Sequence, residues 1–211
     1  MSYIKEMLDQ GYTPESINDY EKFVYSYIIK FICKIKSYDI NILDVGGGTG
    51  HLLLPLKWAG YKNLYISDIE NTLKTFYESE GINFELHNLE LGSMKYKNNF
   101  FDIIFCKNVV EHLSNTSIMM REFYRILKPQ GKVVIITDDW RKTFRTFWRD
   151  PTHVRPYDRE SLQRLLRMYK FKIFFKSSFL TKYGIGRLKL YKLFPALAFI
   201  GDFIMVIGEK N

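Results

Sequence analysis

The stretch whose reading decides the fold is Asn41-Ile42-Leu43-Asp44-Val45-Gly46-Gly47-Gly48-Thr49-Gly50 (NILDVGGGTG). A short apolar run carrying one acid, Asp44, passes into three consecutive glycines, with a fourth after Thr49. His51-Leu52-Leu53-Leu54 then opens a helical pattern. That order is a buried parallel strand turning sharply into a helix, with bare main chain at the turn. Glycine has no Cβ, so a ligand can approach the backbone, and helix-terminal N–H groups point into the same space.

Downstream, strand and helix patterns alternate. Residues 63–67 (NLYIS) read as a second strand ending at Asp68-Ile69-Glu70, and 71–80 as a helix stopped by Gly81. A short third strand covers 84–87, and 100–106 (FFDIIFC) is a fourth, apolar enough to be buried on both faces. A helix over about 117–127 ends at Lys128-Pro129-Gln130-Gly131, before a fifth strand at 132–137. The alternation predicts an α/β fold: a Rossmann-like, mostly parallel sheet with helices on both faces. Upstream, Thr13-Pro14-Glu15-Ser16 reads as a helix start, and Tyr20, Phe23, Val24, Tyr27, Ile28, Phe31 and Ile32 continue at helical spacing.

Beyond the fifth strand the pattern changes. Residues 138–157 form a loop dense in Arg and aromatics, too long for a mere connector. Asp158 reads as the cap of another helix, with Tyr157 and Leu162 placed as a hydrophobic staple. Two final strands, 171–179 and 203–209, flank a basic, apolar segment.

At 211 residues the chain fits one domain, 1–211, with a helical extension over about 1–40, a substrate-side loop over about 138–157 and an insertion over about 184–200. Cys33 and Cys106 are far apart in apolar surroundings, so a reducing compartment is expected. The first thirty residues scatter acids through Glu6, Asp9, Glu15, Asp19 and Glu21 without a cleavage-type pattern, so no signal peptide is expected. A cytoplasmic location follows. The formal net charge of +8 points to negatively charged partners, or reflects solubility alone. Arg187, Lys189 and Lys192 among Leu188, Leu190, Tyr191, Leu193 and Phe194 suit either peripheral contact with the inner membrane face or an ordinary covering insertion.

The glycine spacing selects among nucleotide ligands. A nicotinamide site wants G-x-G-x-x-G; from Gly46 this chain reads G-x-G-x-G, followed by His51. Asp44, two positions ahead of Gly46, would favour a cationic group over a pyrophosphate. LDVGGGTG resembles the first motif of the class I S-adenosylmethionine-dependent methyltransferases, whose glycine loop wraps the methionine moiety. Asp68, 24 residues after Asp44, falls at that family's ribose-binding acid, with Ile69 beside it. Asn88-Leu89 falls where the family usually has an Asp beside the adenine amino group. FFDIIFCKNVVEHL and ILKPQGKVVI resemble its fourth strand, with Asn108 at the exit, and the approach to its fifth. The resemblance spans about 42–137. It implies S-adenosylmethionine as cofactor, seven strands with an antiparallel C-terminal hairpin, and Asp44, Gly46, Gly47, Gly48, Gly50, Asp68, Ile69, Asn88, Leu89 and Asn108 as cofactor residues.

The acceptor is read from the other side. Cys106-Lys107-Asn108-Val109 is not the Asn/Asp-Pro-Pro-aromatic run of amino-group methyltransferases, nor is there a Pro-Cys nucleophile for cytosine rings. No carboxylate cluster resembles a catechol-type magnesium site, the two cysteines lack zinc spacing, and no metal ligand is assigned. The segment from Phe147 to Leu162 (FWRDPTHVRPYDRESL) resembles a D-P-T-H-V-x-P-[FY]…E-S-L stretch in methyltransferases associated with glycan pathways. Asp150 near His153 would orient an imidazole, whose near-neutral pKa suits a general base for a hydroxyl. Structural roles for both, a turn cap at Pro151 and packing, are the alternative. Trp140, Phe144, Phe147 and Trp148 would stack on a sugar face or pack a lid. The expected reaction is methylation of a hydroxyl on a small molecule or glycan, lipid-linked acceptors included. An RNA methyltransferase, which would bind RNA in a steeply salt-dependent way, and a non-catalytic S-adenosylmethionine-binding protein are the competing expectations.

Overall fold

The computed structural model describes residues 3–179 and 202–211, apart from Tyr12, Pro14, Glu15 and Asn18; the segment assigned above as an insertion, 184–200, lies outside them. Among the described residues one sheet holds β1 (Asn41–Val45), β2 (Asn63–Asp68), β3 (Asn83–Leu86), β4 (Phe101–Lys107), β5 (Leu127–Asp138), β6 (Phe171–Phe179) and β7 (Phe203–Lys210). Their order is β3-β2-β1-β4-β5-β7-β6. The first five strands are parallel, and β7 runs antiparallel to both β5 and β6. This is the sheet and terminal hairpin predicted from the alternation and the resemblance.

Successive strand residues face opposite ways, and the core divides accordingly. Ile42, Ile66, Ile103, Phe105, Val134 and Ile136 pack with residues of α2 (Asp19–Tyr27), α3 (Leu53–Trp58) and α4 (Lys74–Ser79). Leu43, Val45, Ile104, Cys106, Val133 and Ile135 pack with α5 (Ser117–Ile126) and α7 (Arg159–Met168). In β4 the run Ile103-Ile104-Phe105-Cys106 is fully buried on both faces. Each such apolar side chain contributes roughly 1.5–3 kcal/mol on burial, so the carboxyl edge of the central strands is a firm platform for a site. Cys33 and Cys106 belong to opposite layers, which excludes a bridge between them. Burial pushes the Cys33 thiol up to about 12 and that of Cys106 well above its ordinary value. Both are core residues.

Several boundaries move, for local reasons. Helix α2 begins at Asp19 and continues as a π-helical turn, Ile28–Ile32, while the Pro14-Glu15 start lies outside the described residues. An N-terminal helix, α1 (Tyr3–Asp9), precedes it. Helix α4 begins at Lys74 rather than 71, because the chain is still turning after Asp68, whose Oδ1 accepts the Glu70 N–H at 3.0 Å. Strand β5 starts at Leu127, opposite Phe101, and Lys128-Pro129-Gln130-Gly131 is absorbed in a register shift rather than a loop. Gly131 is required there, since a Cβ would lie 2.8 Å from the Lys128 carbonyl oxygen. The 138–157 loop contains α6 (Trp140–Thr143) and a 3-10 turn, Phe147–Arg149. Asp158 caps α7 in a capping box with Ser161, and Tyr157 and Leu162 are both buried, as predicted. No helix among the described residues is long and apolar enough to cross a membrane.

Candidate active site

The glycine turn joins β1 to α3. Gly46, Gly48 and Gly50 take left-handed φ values of 66°, 53° and 78°, which a side chain would strain. Gly47 is needed for space instead: a Cβ there would lie 2.3 Å from Ile66 Cδ1 and 3.1 Å from Asp44 Oδ2. Gly48 differs, because a Cβ there would meet nothing nearer than the Gly46 carbonyl oxygen at 4.0 Å. The turn is therefore packed from below and open above Gly48, which is the cradle a ligand on bare main chain requires. From α4 the Tyr77 hydroxyl donates to the Gly48 carbonyl, and its ring is buried. Tyr77 was not singled out from sequence, where it reads only as one apolar position of a helix.

Asp68 ends β2 beside this turn. Its Oδ2 accepts the Gly48 N–H at 3.0 Å and its Oδ1 the Glu70 N–H. Burial raises its carboxyl, against the lowering effect of those backbone bonds. Each oxygen retains a second lone pair, so the acid can brace the turn and still accept from two vicinal hydroxyls. Ile69 next to it is 64% exposed, an apolar face at the rim. Asn88 Oδ1 accepts the Glu90 N–H at 2.9 Å, closing a local turn, and Leu89 is buried beneath it. Asn108 is exposed where β4 ends, has a φ of 52°, and donates its N–H to the Ile136 carbonyl.

Asp44 lies at the root of the turn, 3% exposed. Burial pushes its carboxyl up to about 8, with Lys107 opposing and Asp68 adding to the rise. A buried acid of this kind ionises readily only when a cation arrives. The residues fit S-adenosylmethionine on these observations: an open glycine cradle, a bonded acid for the ribose, and a buried acid that a cationic ligand would ionise. Binding is then coupled to proton release, with a definite sign. Below about pH 8 the ligand must displace a proton from Asp44, so affinity for S-adenosylmethionine should rise with pH, by up to about tenfold per unit, and level off above it. Calorimetry across this range should show that slope, and Asp44→Asn should flatten it. A flat profile in the unaltered protein would uncouple Asp44 from the ligand.

The second half of the site is built where β4 and β5 leave the sheet. After β4 a 3-10 turn, Val110–His112, carries Glu111 and His112. The main-chain oxygen of Glu111 accepts the N–H groups of Val154 and Arg155 at 2.9 and 3.0 Å, docking the loop after β5 onto this turn. Arg155 adds a bond to the Ser114 carbonyl. Docking brings the His112 and His153 rings to 4.7 Å, with the buried Phe147 ring 4.4 Å behind His153. Trp140, Phe144 and Trp148 are exposed on the same loop, whereas Phe147 packs inward and is not available to stack on an acceptor.

Asp150 lies beside His153, as the sequence suggests, but without a hydrogen bond: Asp150 Oδ2 is 3.8 Å from His153 Nε2. The reason is local. Asp150 Oδ1 accepts both the Thr152 N–H, at 2.9 Å, and its hydroxyl, at 2.5 Å. That fixes the Thr152 proton, so the contact of 2.8 Å between Thr152 Oγ1 and His112 Nδ1 is an N–H donated by the ring. His153 Nδ1 similarly faces the Phe147 carbonyl at 2.8 Å, and a carbonyl can only accept. Both rings therefore carry a proton on Nδ1. Burial lowers the pKa of His112, and His153 adds to that, which keeps the ring neutral. Burial raises Asp150, but the two Thr152 bonds and the imidazoles outweigh it and hold the acid ionised.

Glu111 is 1% exposed, and burial pushes its carboxyl up to about 8. Its Oε2 has no hydrogen-bond partner in the described structure.

With both halves in view, comparison with known proteins is informative. The model of the methyltransferase-domain family matches residues 20–174, and the chain belongs to that family. Family and fold together imply S-adenosylmethionine as cofactor. The chain is 30% identical over 120 residues to a ubiquinone biosynthesis O-methyltransferase of Rickettsia bellii, covering 53% of this chain and 48% of that protein. It is 27% identical over 145 residues to an uncharacterised protein of Methanocaldococcus jannaschii, covering 64% and 61%. The chain thus spans about half the length of the curated O-methyltransferases it matches. An S-adenosylmethionine-dependent methyltransferase of Thermotoga maritima shares the fold at a TM-score of 0.67 and 18% identity, covering 99% of each chain.

Proposed function

We propose that this chain transfers the methyl group of S-adenosylmethionine to a hydroxyl of a small molecule or glycan. When bound, the cofactor supplies an electron-poor methyl on a sulfonium. The chain's own residues hold the two reactants and manage one proton. The reading is carried by His153, whose ring is held through Nδ1 by the Phe147 carbonyl behind it, so that Nε2 is the nitrogen left to take a proton. A hydroxyl presented to that nitrogen would give up its proton as the new O–C bond forms and the S–C bond to the methyl breaks, leaving the thioether S-adenosylhomocysteine. Exposed Trp140, Phe144 and Trp148 offer flat apolar faces on the acceptor side. The Rickettsia relative is a ubiquinone biosynthesis O-methyltransferase, which supports oxygen as the methylated atom. The resemblance of the 147–162 segment supports a glycan. Labelled S-adenosylmethionine offered with phenolic and sugar acceptors in parallel should label one class on oxygen. Label appearing only on nitrogen, or only on RNA, would overturn the reading.

A further inference from the structure

Glu111, His112 and His153 offer one ligand atom each, all within 4.8 Å of one another. Three features make this more than a chance meeting of polar groups. Glu111 is buried with Oε2 unpartnered, a costly state for a carboxylate unless something positive satisfies it. Both imidazoles are held through Nδ1, His153 by the Phe147 carbonyl and His112 by Thr152, which fixes the orientation of the two rings. Finally, Thr152 is itself fixed by Asp150, so the His112 ring is backed by a hydroxyl and then a carboxylate. Histidines that ligate metals are characteristically held this way, with the second nitrogen donating to a carbonyl or toward a carboxylate.

We propose that Glu111, His112 and His153 hold a divalent transition-metal ion that binds the acceptor hydroxyl and acidifies it. Two imidazoles and one carboxylate suit zinc and its first-row neighbours rather than magnesium or calcium, which prefer all-oxygen shells. A tetrahedral zinc site places its nitrogen and oxygen ligands about 3.3 Å apart, so each pair here closes by at most about 1.5 Å around the ion. Three protein ligands leave a fourth position, which the acceptor oxygen takes. There the ion replaces His153 as the agent that loosens the O–H bond: the proton passes to solvent, the oxygen takes the methyl, and the S–C bond breaks. Nothing in the sequence marks this set, because His153 lies 41 residues beyond His112 and no two members share a recognised metal-ligand spacing.

This catalytic role rests on the hydroxyl-methylation reading; the ion site itself does not, and the experiment separates them. The full chain is stripped with a chelator, dialysed and titrated with Co2+ by visible absorption and with Zn2+ by calorimetry. One equivalent of either ion should bind. Glu111→Gln and His153→Ala should each weaken binding by at least about 100-fold, and Thr152→Val by about tenfold. Unchanged S-adenosylhomocysteine affinity in each variant establishes that it has folded. Absence of stoichiometric binding by the unaltered chain overturns the proposal, as does full-strength binding by Glu111→Gln. Stoichiometric binding without methylation of any hydroxyl acceptor sustains the ion site and refutes the functional reading instead.

Discussion

Asp68→Ala is expected to weaken S-adenosylhomocysteine binding by about 100-fold. The magnitude follows from what the carboxylate does. Hydrogen bonds to a charged group contribute about 1.5–3 kcal/mol each, and about 1.4 kcal/mol is a factor of ten in affinity. Losing two ribose bonds alone would reach 100-fold at the lower figure. The substitution also releases the Gly48 N–H, which the Oδ2 atom holds at 3.0 Å, so the open cradle loses its brace. Asp68→Asn keeps one acceptor oxygen and should lose less than half as much free energy. Calorimetry measures both, with thermal unfolding as the control for folding. An alanine variant that binds normally would remove Asp68 from the cofactor site.

His153→Ala is expected to reduce turnover by about 10²–10⁴-fold, the usual span for a positioned proton acceptor, with S-adenosylhomocysteine affinity nearly unchanged. The separation is structural. His153 sits on the loop after β5 and is held by Phe147, while the residues proposed for the cofactor lie at or just after the ends of β1, β2, β3 and β4. The same loss is expected whether the ring takes the proton itself or ligates an ion that acidifies the hydroxyl. Chelation tells these apart: turnover surviving removal of metal identifies the ring as the base, and turnover restored by added Zn2+ identifies it as a ligand. Equal activity in variant and unaltered enzyme would return His153 to a packing role.

The glycine turn was legible in sequence because it is local. Strand, glycine turn and helix are contiguous, and each glycine is demanded by a left-handed φ or by a neighbour such as Ile66. The strands were legible for a similar reason: the Ile103-Ile104-Phe105-Cys106 part of β4, buried on both faces, shows as an apolar run. Tyr77 was missed since nothing in a helical pattern announces which residue reaches back to a carbonyl 29 positions earlier. The acceptor half was harder. Asp150 and His153 suggested a pair by proximity in sequence, but the shorter reach from Asp150 to Thr152 won. What links His112 to His153 is the docking of one loop on another, a tertiary event with no local signature.

That docking has a consequence for how such a protein can change. The loop hangs from the main-chain oxygen of Glu111, through the Val154 and Arg155 N–H groups. Any residue at position 111 would present the same oxygen, so these two backbone bonds do not depend on the side chain there. Side-chain chemistry at 111 is thus separable from architecture. A lineage can exchange an acid for an amide there without first inventing a new way to hold the loop.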